Sequence, residues 1–139
     1  MSFSIVELEP DNGHVLNNVA EDVFDYAIDP DLLETYLSQS THKMFIAVID
    51  DIVVGQVRGI IHFQPDEPAH LYIDNLGVAP TAKRQGIASA LFNALIEWGQ
   101  HNECKGYWVA TECDNDEGNG FYESLGLTPQ QMYFYEGEN

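Results

Sequence analysis

The sequence is poor in basic residues. It has five Lys and Arg residues against 23 Asp and Glu, which gives a formal net charge of −18 at pH 7. Such a chain repels nucleic acid phosphates and anionic lipid surfaces, and it attracts cations within about 8–10 Å at physiological salt. We therefore expect no nucleic acid partner, no membrane partner and a cationic small molecule as ligand. The same charge could instead serve solubility or salt tolerance.

Cysteine and long apolar runs are also scarce. Cys104 and Cys113 form no CxxC pair and no cluster with the five histidines, so neither a disulfide framework nor a zinc site is indicated. We expect two free, buried thiols and no bound metal. No segment is long and apolar enough to cross a bilayer, and the opening residues MSFSIVELEPDNG lack the pattern of a signal peptide. The expectation is a soluble, cytoplasmic protein.

The chain lacks repeats, low-complexity tracts and linkers. Its 139 residues are 45% hydrophobic, which suits one globular domain with its own core. We predict a single domain over residues 1–139.

In the N-terminal half, apolar periodicity predicts a strand, two helices and a hairpin. The strand is SFSIVELE. One helix covers residues 11–27, and a second has Asp29 as its N-cap and Pro30 at its first position. Two β-rich apolar runs flank Asp50 and Asp51 and predict the hairpin.

In the C-terminal half, HLYIDNLGV predicts a fourth strand and residues 84–100 predict a long helix. The fifth strand is GYWVATEC, with Trp108 in the core. A short helix ends at Gly126, and QMYFYE forms a last strand. The predicted fold is α/β (α+β), a mixed central sheet of six to seven strands with the order βααβββαβαβ.

The stretch KRQGIASAL places two of the five cations just before the long helix. The first N–H groups of a helix have no intrahelical acceptor, and with the macrodipole they bind anions. Gly86 would let a phosphate approach the backbone, and Lys83 and Arg84 would add charge. No Walker loop or GxGxxG fingerprint is present. The stretch suits a pyrophosphate, and the alternative is simple helix capping beside surface cations.

The element order, the LGV that ends the fourth strand, this loop and NDEGNGFYESLGL together resemble the GCN5-related N-acetyltransferase (GNAT) family. In that family a Q/R-x-x-G-x-G/A loop holds the pyrophosphate of acetyl-CoA. Residues 83–88 match the loop with Lys83 at its first position, a change that keeps the charge and loses bidentate bonding. The resemblance therefore implies acetyl-CoA as the cofactor.

A second family pattern, N-x-x-A-x-x-F-Y-x-x-x-G-F, resembles the stretch from Asn115 to Leu127. By this resemblance Tyr122 is the general acid that protonates the CoA sulfur, and the backbone N–H of Leu76 faces the thioester oxygen. The alternative for Tyr122 is an aromatic residue on the buried face of a short helix. The cofactor-binding residues implied are Leu76, Gly77, Val78, Lys83, Arg84, Gln85, Gly86, Ile87, Ala88, Ser89, Asn115, Phe121 and Tyr122.

The general base does not carry over from the family, because Tyr72 stands where several relatives have a glutamate. Our order of preference is Asp74, then Glu112, then Asp116. Asp74 lies on the same face of an extended strand as Tyr72 and Leu76, unless a bulge changes that facing. The alternative for each carboxylate is an exposed, solvated acid. The residues expected to bind the substrate are Asp74, Asn75, Glu112, Asp116, Asp25 and Glu136, with Asp22 and Glu34 as further acids.

Within the family, FIAVIDDIVVGQVRGII, LYIDNLGVAP and KRQGIASAL look like the small aminoglycoside 3-N-acetyltransferases. The resemblance implies acetyl transfer to the 3-amino group of a polycationic antibiotic. Two alternatives stay open: acetylation of a polyamine, another amino sugar or a protein amine, and a non-catalytic CoA-binding or acidic interaction module. Exposed aromatic residues in QMYFYE would suit strand-mediated pairing of two copies as a homodimer.

Overall fold

A computed structural model describes residues 2–139. The chain forms two compact units, a larger one that ends at Val109 and a smaller one, Ala110–Asn139.

The larger unit is built on one sheet. Its strands are β1 (Ser4–Glu7), β2 (His42–Ile49), β3 (Ile52–His62), β4 (His70–Val78) and β5 (Gly106–Val109). They lie in chain order across the sheet, antiparallel from β1 to β4, and β5 pairs with β4 in parallel. The α/β class and the mixed sheet are confirmed.

The predicted number of strands is wrong, because residues 2–139 contain five strands rather than six or seven. Residues 131–136, the predicted strand QMYFYE, form no strand. The four large side chains in this segment are between 84% and 89% exposed. Strand propensity largely reflects the fit of a side chain to a half-buried sheet surface, and these side chains have no such surface in the described structure.

The helix predicted over residues 11–27 is also wrong. Only a short 3₁₀ helix, Gly13–Asn17, forms there. The carbonyl of Asn18 accepts from Val53 N at 2.9 Å, and Ala20 N donates to Val53 O at 2.9 Å. Because these backbone groups bond to β3, residues 18–20 bridge to the sheet instead of continuing a helix.

Two N-terminal predictions are confirmed. Helix α1 (Pro30–Leu37) is capped by Asp29, whose Oδ1 accepts from Asp31 N at 2.9 Å and Leu32 N at 3.2 Å. The β2–β3 hairpin turns at Asp50 and Asp51, which have φ angles of 49° and 65°. Two successive residues with positive φ are typical of the two-residue turn that matches strand twist.

Helix α2 (Ile87–His101) covers one face of the sheet. Ile87, Leu91 and Leu95 are at most 1% exposed, and each such buried side chain stabilises the fold by about 1.5–3 kcal/mol. The helix packs closely because β3 has glycine beneath it: a Cβ at Gly59 would lie 2.9 Å from Leu95. The face that α2 covers is the core of the larger unit.

Trp108 is not in the core, contrary to prediction. It is 46% exposed and stacks on Tyr72 with ring centroids 4.2 Å apart. Its neighbour Tyr107 contacts Phe92 of α2, so alternation along β5 turns Trp108 to the opposite face. Cys104 and Cys113 are free as expected, but Cys104 is half-buried and Cys113 is exposed.

The smaller unit contains helix α3 (Asp116–Ser124). Gly126 follows it with a φ angle of 85°, the left-handed conformation that commonly ends helices. The predicted short helix and its end near Gly126 are confirmed. Within the described structure, no helix is long and apolar enough to cross a membrane.

Candidate active site

The C-terminal end of β4 is half open. Strand β5 pairs with β4 only from His70 to Ile73, whereas β3 pairs with β4 as far as Val78. Residues 74–78 therefore have no strand partner on the β5 side within the described ladder. Exposed strand backbone of this kind can bind an extended ligand by main-chain hydrogen bonds.

A bulge interrupts β4 at this point. Arg58 pairs with Asn75 and Gly59 pairs with Ile73, which leaves Asp74 as an extra residue. A bulge of this type breaks strand alternation. Asp74 and Asn75 both face away from α2, so alternation places Leu76 on the α2 side. The expected common face of Asp74 and Leu76 is therefore wrong.

Asp74, our first choice of base, lies within a small polar cluster. Its Oδ2 is 3.9 Å from Arg58 Nε. Tyr36 of α1 belongs to the same cluster: burial raises the pKa of its hydroxyl to about 12, Arg58 opposes that rise and Asp74 adds to it. Burial, and then the charge of Asp74, also raise the pKa of Tyr72. Asp74 therefore has a cation beside it, which sequence reasoning did not anticipate.

The loop before α2 fits a diphosphate. Residues 83–86 are all exposed, and Arg84 and Gly86 have φ angles of 66° and 81°. The first-turn N–H groups of α2 have no acceptor within the helix. The N-cap residue is Gly86, which has no side chain to accept from them. Helix α2 begins at Ile87, three residues later than predicted, because these left-handed residues cannot be helical. The residues present match an anion-binding helix start.

A groove of about 1010 Å³ lies between residues 10–28 and α1. Phe24 and Leu33 contribute apolar surface to its lining. Three acids, Asp11, Asp25 and Glu34, also line it. Of the acids expected in this region, Asp25 and Glu34 are in the groove, and Asp22 is not among its lining residues. Asp11 was missed, because its place in a predicted helix gave no signal of a cleft.

In the smaller unit, Asn115 caps α3. Its Oδ1 accepts from Gly118 N at 3.0 Å, and its Nδ2 donates to Thr111 Oγ1 at 2.8 Å. A Cβ at Gly118 would lie 2.6 Å from Asn115 Nδ2, so the cap requires a residue with no side chain there. Glu112 and Asp116 flank this turn and are exposed.

Tyr122 lies on α3 and is half-buried. Its ring contacts Phe121 edge to face, with centroids 5.3 Å apart. Burial raises the pKa of its hydroxyl above the ordinary value of 10.0. The group therefore keeps its proton at neutral pH, as a proton donor must.

The predicted site residues fall into two sets. Leu76, Gly77, Val78 and the residues from Lys83 to Ser89 lie in the larger unit with Asp25, Asp74 and Asn75. Glu112, Asn115, Asp116, Phe121 and Tyr122 lie in the smaller unit, where Glu136 occupies the irregular tail. In residues 2–139 no group of three or more His, Cys, Asp or Glu residues could hold a metal ion.

Comparison with solved structures shows the same fold in aminoglycoside acetyltransferases. HMB0005, from an uncultured soil metagenomic sample, is 20% identical, with a TM-score of 0.84 and coverage of 100% of both chains. Meta-AAC0020, from another such sample and in complex with trehalose, is 21% identical, with a TM-score of 0.83. The match covers 99% of this chain and 97% of that chain. AAC(6')-Iy, in complex with a bisubstrate analogue of CoA and acetylneamine, is 18% identical, with a TM-score of 0.80 and full coverage of both chains.

A search of curated protein sequences gave no match. A family model did match, and its description is acetyltransferase (GNAT) family. The match covers residues 13–127, which include β4, the loop before α2, and α3. The chain therefore belongs to the acetyltransferase (GNAT) family.

Proposed function

We propose that this enzyme acetylates an amine of a polycationic acceptor, and that the acceptor is an aminoglycoside. The observation that carries the proposal is the groove beside α1, in which Asp11, Asp25 and Glu34 face one space of about 1010 Å³. A single exposed ion pair contributes only about 0.2–1 kcal/mol. Recognition of a polycation therefore needs several acids at one site, and this groove supplies them.

Acetyl-CoA supplies an acetyl group activated as a thioester. In our proposal the first-turn N–H groups of α2, with Lys83 and Arg84, bind its diphosphate. The unpaired side of β4 binds the pantetheine arm, with Val78 bonding main chain to main chain. The backbone N–H of Leu76 donates to the thioester oxygen, where negative charge develops.

Proton transfers are assigned to Tyr122 and to a carboxylate. Tyr122 Oη holds a proton at neutral pH and donates it to the departing sulfur. The acceptor amine must lose a proton, and a free alkyl amine has a pKa near about 10. Asp74 would take that proton through water and hold neighbouring ammonium groups, with Arg58 limiting how much positive charge binds there. Glu112 and Asp116 are the next candidates.

The nitrogen that is acetylated is part of the proposal. The sequence resemblance favours the 3-amino group, whereas the name of AAC(6')-Iy places the reaction of that neighbour at the 6' position. Meta-AAC0020 has also been solved with sisomicin, an aminoglycoside. We retain the 3-amino group as the proposal to be tested.

The test is a thiol-release assay with acetyl-CoA against gentamicin-type and kanamycin-type aminoglycosides, a polyamine and a small amino sugar. We expect the highest kcat/KM with an aminoglycoside, and NMR of the product to place the acetyl group on the 3-amino nitrogen. A higher kcat/KM with the polyamine than with any aminoglycoside would identify the polyamine as the acceptor. Acetyl-CoA binding without thiol release for any amine would favour the non-catalytic module.

A further inference from the structure

Gln56 is the one polar residue among residues 2–139 that is buried, at 0% exposure. It lies in β3, in the apolar run IVVGQVRGII, and faces away from α2. Burying an amide without hydrogen bonds is costly, so its contacts indicate what it holds in place.

The Gln56 side chain joins two neighbours. Its Nε2 donates to the carbonyl of Val23 at 3.1 Å and to Oδ1 of Asn75 at 2.6 Å. Its Oε1 is buried with no hydrogen-bond partner among the described residues. Because the Val23 carbonyl can only accept, it fixes which end of the Gln56 amide faces it.

This contact also orients Asn75. The Asn75 amide turns its oxygen to Gln56, so its NH₂ group is on the other side of the amide. Asn75 belongs to the bulge of β4, next to Asp74. Its carbonyl oxygen is therefore occupied, and what it can offer a ligand is a hydrogen-bond donor.

Val23 belongs to a segment, residues 18–25, that we call the strap. The strap is bonded to β3 through Asn18 and Ala20, and the Val23 side chain is 2% exposed. It crosses β4 at Gly77, where a Cβ would lie 2.4 Å from the Val23 carbonyl oxygen. The strap includes groove-lining residues, Asp25 among them. Gln56 thus connects the wall of the acidic groove to the bulge.

We propose that Gln56 is a positioning residue that fixes the strap on β4 and turns the Asn75 NH₂ group toward the acceptor. This inference rests on the proposed function and specifies its substrate class. An NH₂ donor recognises a hydroxyl or ether oxygen and repels an ammonium group. The acceptor is therefore a hydroxylated amine such as an amino sugar, and a plain polyamine lacks the group that Asn75 binds.

The experiment compares Q56L and N75A with wild type on an aminoglycoside and on a polyamine, with Q100L as a matched control at an exposed glutamine. We expect each variant to raise the KM for the aminoglycoside about tenfold. In N75A the KM for the polyamine, and in both variants the KM for acetyl-CoA, should change by less than about twofold. Q100L should match wild type throughout.

A double variant, Q56L together with N75A, separates positioning from general damage. If Gln56 acts through Asn75, the double variant should be no worse on the aminoglycoside than Q56L alone. Additive losses would overturn the proposal, as would an equal rise in KM for both acceptors in N75A.

Hydrogen exchange gives a readout that does not need activity. We expect faster exchange of the amides of residues 20–25 in Q56L, and unchanged exchange would overturn the proposal. If Q56L fails to fold, G77A tests the same contact from β4, because its Cβ would meet the Val23 carbonyl. Should wild type acetylate no amine, the proposed function fails and the exchange result alone decides whether Gln56 holds the strap.

Discussion

Three tyrosines show how burial sets the chemistry of single residues in this protein. Burial raises the pKa of the hydroxyls of Tyr36, Tyr72 and Tyr122. All three therefore stay neutral at physiological pH, yet their surroundings differ. Tyr36 and Tyr72 are near Asp74, whereas Tyr122 contacts Phe121 in α3.

Replacing Tyr122 by Phe tests its role as the proton donor. We expect Y122F to lower kcat about 100-fold, since a positioned acid contributes at least about that factor. The KM for acetyl-CoA should stay within about twofold, because the ring remains. Steady-state kinetics would measure both, with Y133F in the exposed tail as control. An unchanged kcat would remove Tyr122 from the mechanism.

Replacing Tyr36 by Phe tests a buried hydroxyl that has no hydrogen-bond partner among the described residues. Its pKa is about 12 in the folded protein against 10.0 for an unperturbed tyrosine. Because the folded state holds this proton more tightly than the unfolded state, titration of Tyr36 does not change the protein's stability below pH 10 and lowers it as the pH rises toward 12. We expect Y36F to be at least as stable as wild type at pH 7, and to lose less stability between pH 10 and 12. Urea unfolding at pH 7 and pH 11 measures both, and a markedly less stable Y36F at pH 7 would contradict it.

Residue roles were only partly predictable from the sequence. The sequence placed Lys83, Arg84 and Gly86 just before the long helix because a local pattern marks a helix start, and their role in binding a diphosphate stays a prediction. Arg58 and Tyr36 were missed because they meet Asp74 only through strand pairing and helix packing, which leave no local pattern. Gln56 did leave a signal, since a polar residue within an apolar strand requires a partner.

At the scale of elements, local chemistry predicted some boundaries and tertiary contacts decided others. The Asp29 cap and the Asp50–Asp51 turn were correct because each depends on neighbouring residues alone. The helix over residues 11–27 was wrong because β3 binds the backbone of that segment. A bulge in β4 was named as a possibility, but its place at Asp74 could not be predicted because it depends on the register between β3 and β4.

The start of α2 gives an element-scale prediction. Gly86 has a φ angle of 81°, and a Cβ there would meet nothing within 4 Å. A substitution therefore acts through the backbone alone, at a cost of about 1–2 kcal/mol for a residue that disfavours left-handed φ. We expect G86V to weaken acetyl-CoA binding about tenfold by distorting the N–H groups.

Calorimetric titration of acetyl-CoA would measure this effect, with G86N as the matched control. Asn tolerates left-handed backbone, so G86N should bind nearly as well as wild type. Equal binding by G86V and wild type would show that this loop does not hold the diphosphate.

At the scale of the whole molecule, the charge of −18 and the acidic groove both predict that the acceptor is bound through its positive charge. Attraction between exposed charges is screened by salt, with a Debye length of about 10 Å at 0.1 M. We expect the KM for a polycationic aminoglycoside to rise steeply between 50 and 300 mM salt, roughly tenfold or more. The KM for acetyl-CoA should change much less. Assays at fixed pH in NaCl measure both, and equal salt dependence would contradict acidic recognition.

The aromatic tail supports a proposal about assembly. Met132, Tyr133, Phe134 and Tyr135 are each at least 84% exposed, and contiguous exposed apolar surface of this kind usually marks an interaction site. We propose a homodimer formed through this segment. Light scattering should give twice the mass of the 15.6 kDa chain, and a variant with serine at these four positions should be monomeric. A monomeric wild type would contradict the proposal.

The stacked pair of Tyr72 and Trp108 has a practical consequence. The chain has two tryptophans, and Trp98 is the other. A W98F protein would therefore emit from one indole, 46% exposed and stacked on a ring that neighbours Asp74. A molecule that settles against this stack would quench or shift that emission, so acceptor arrival could be followed in real time by intrinsic fluorescence, without a label or a coupled assay.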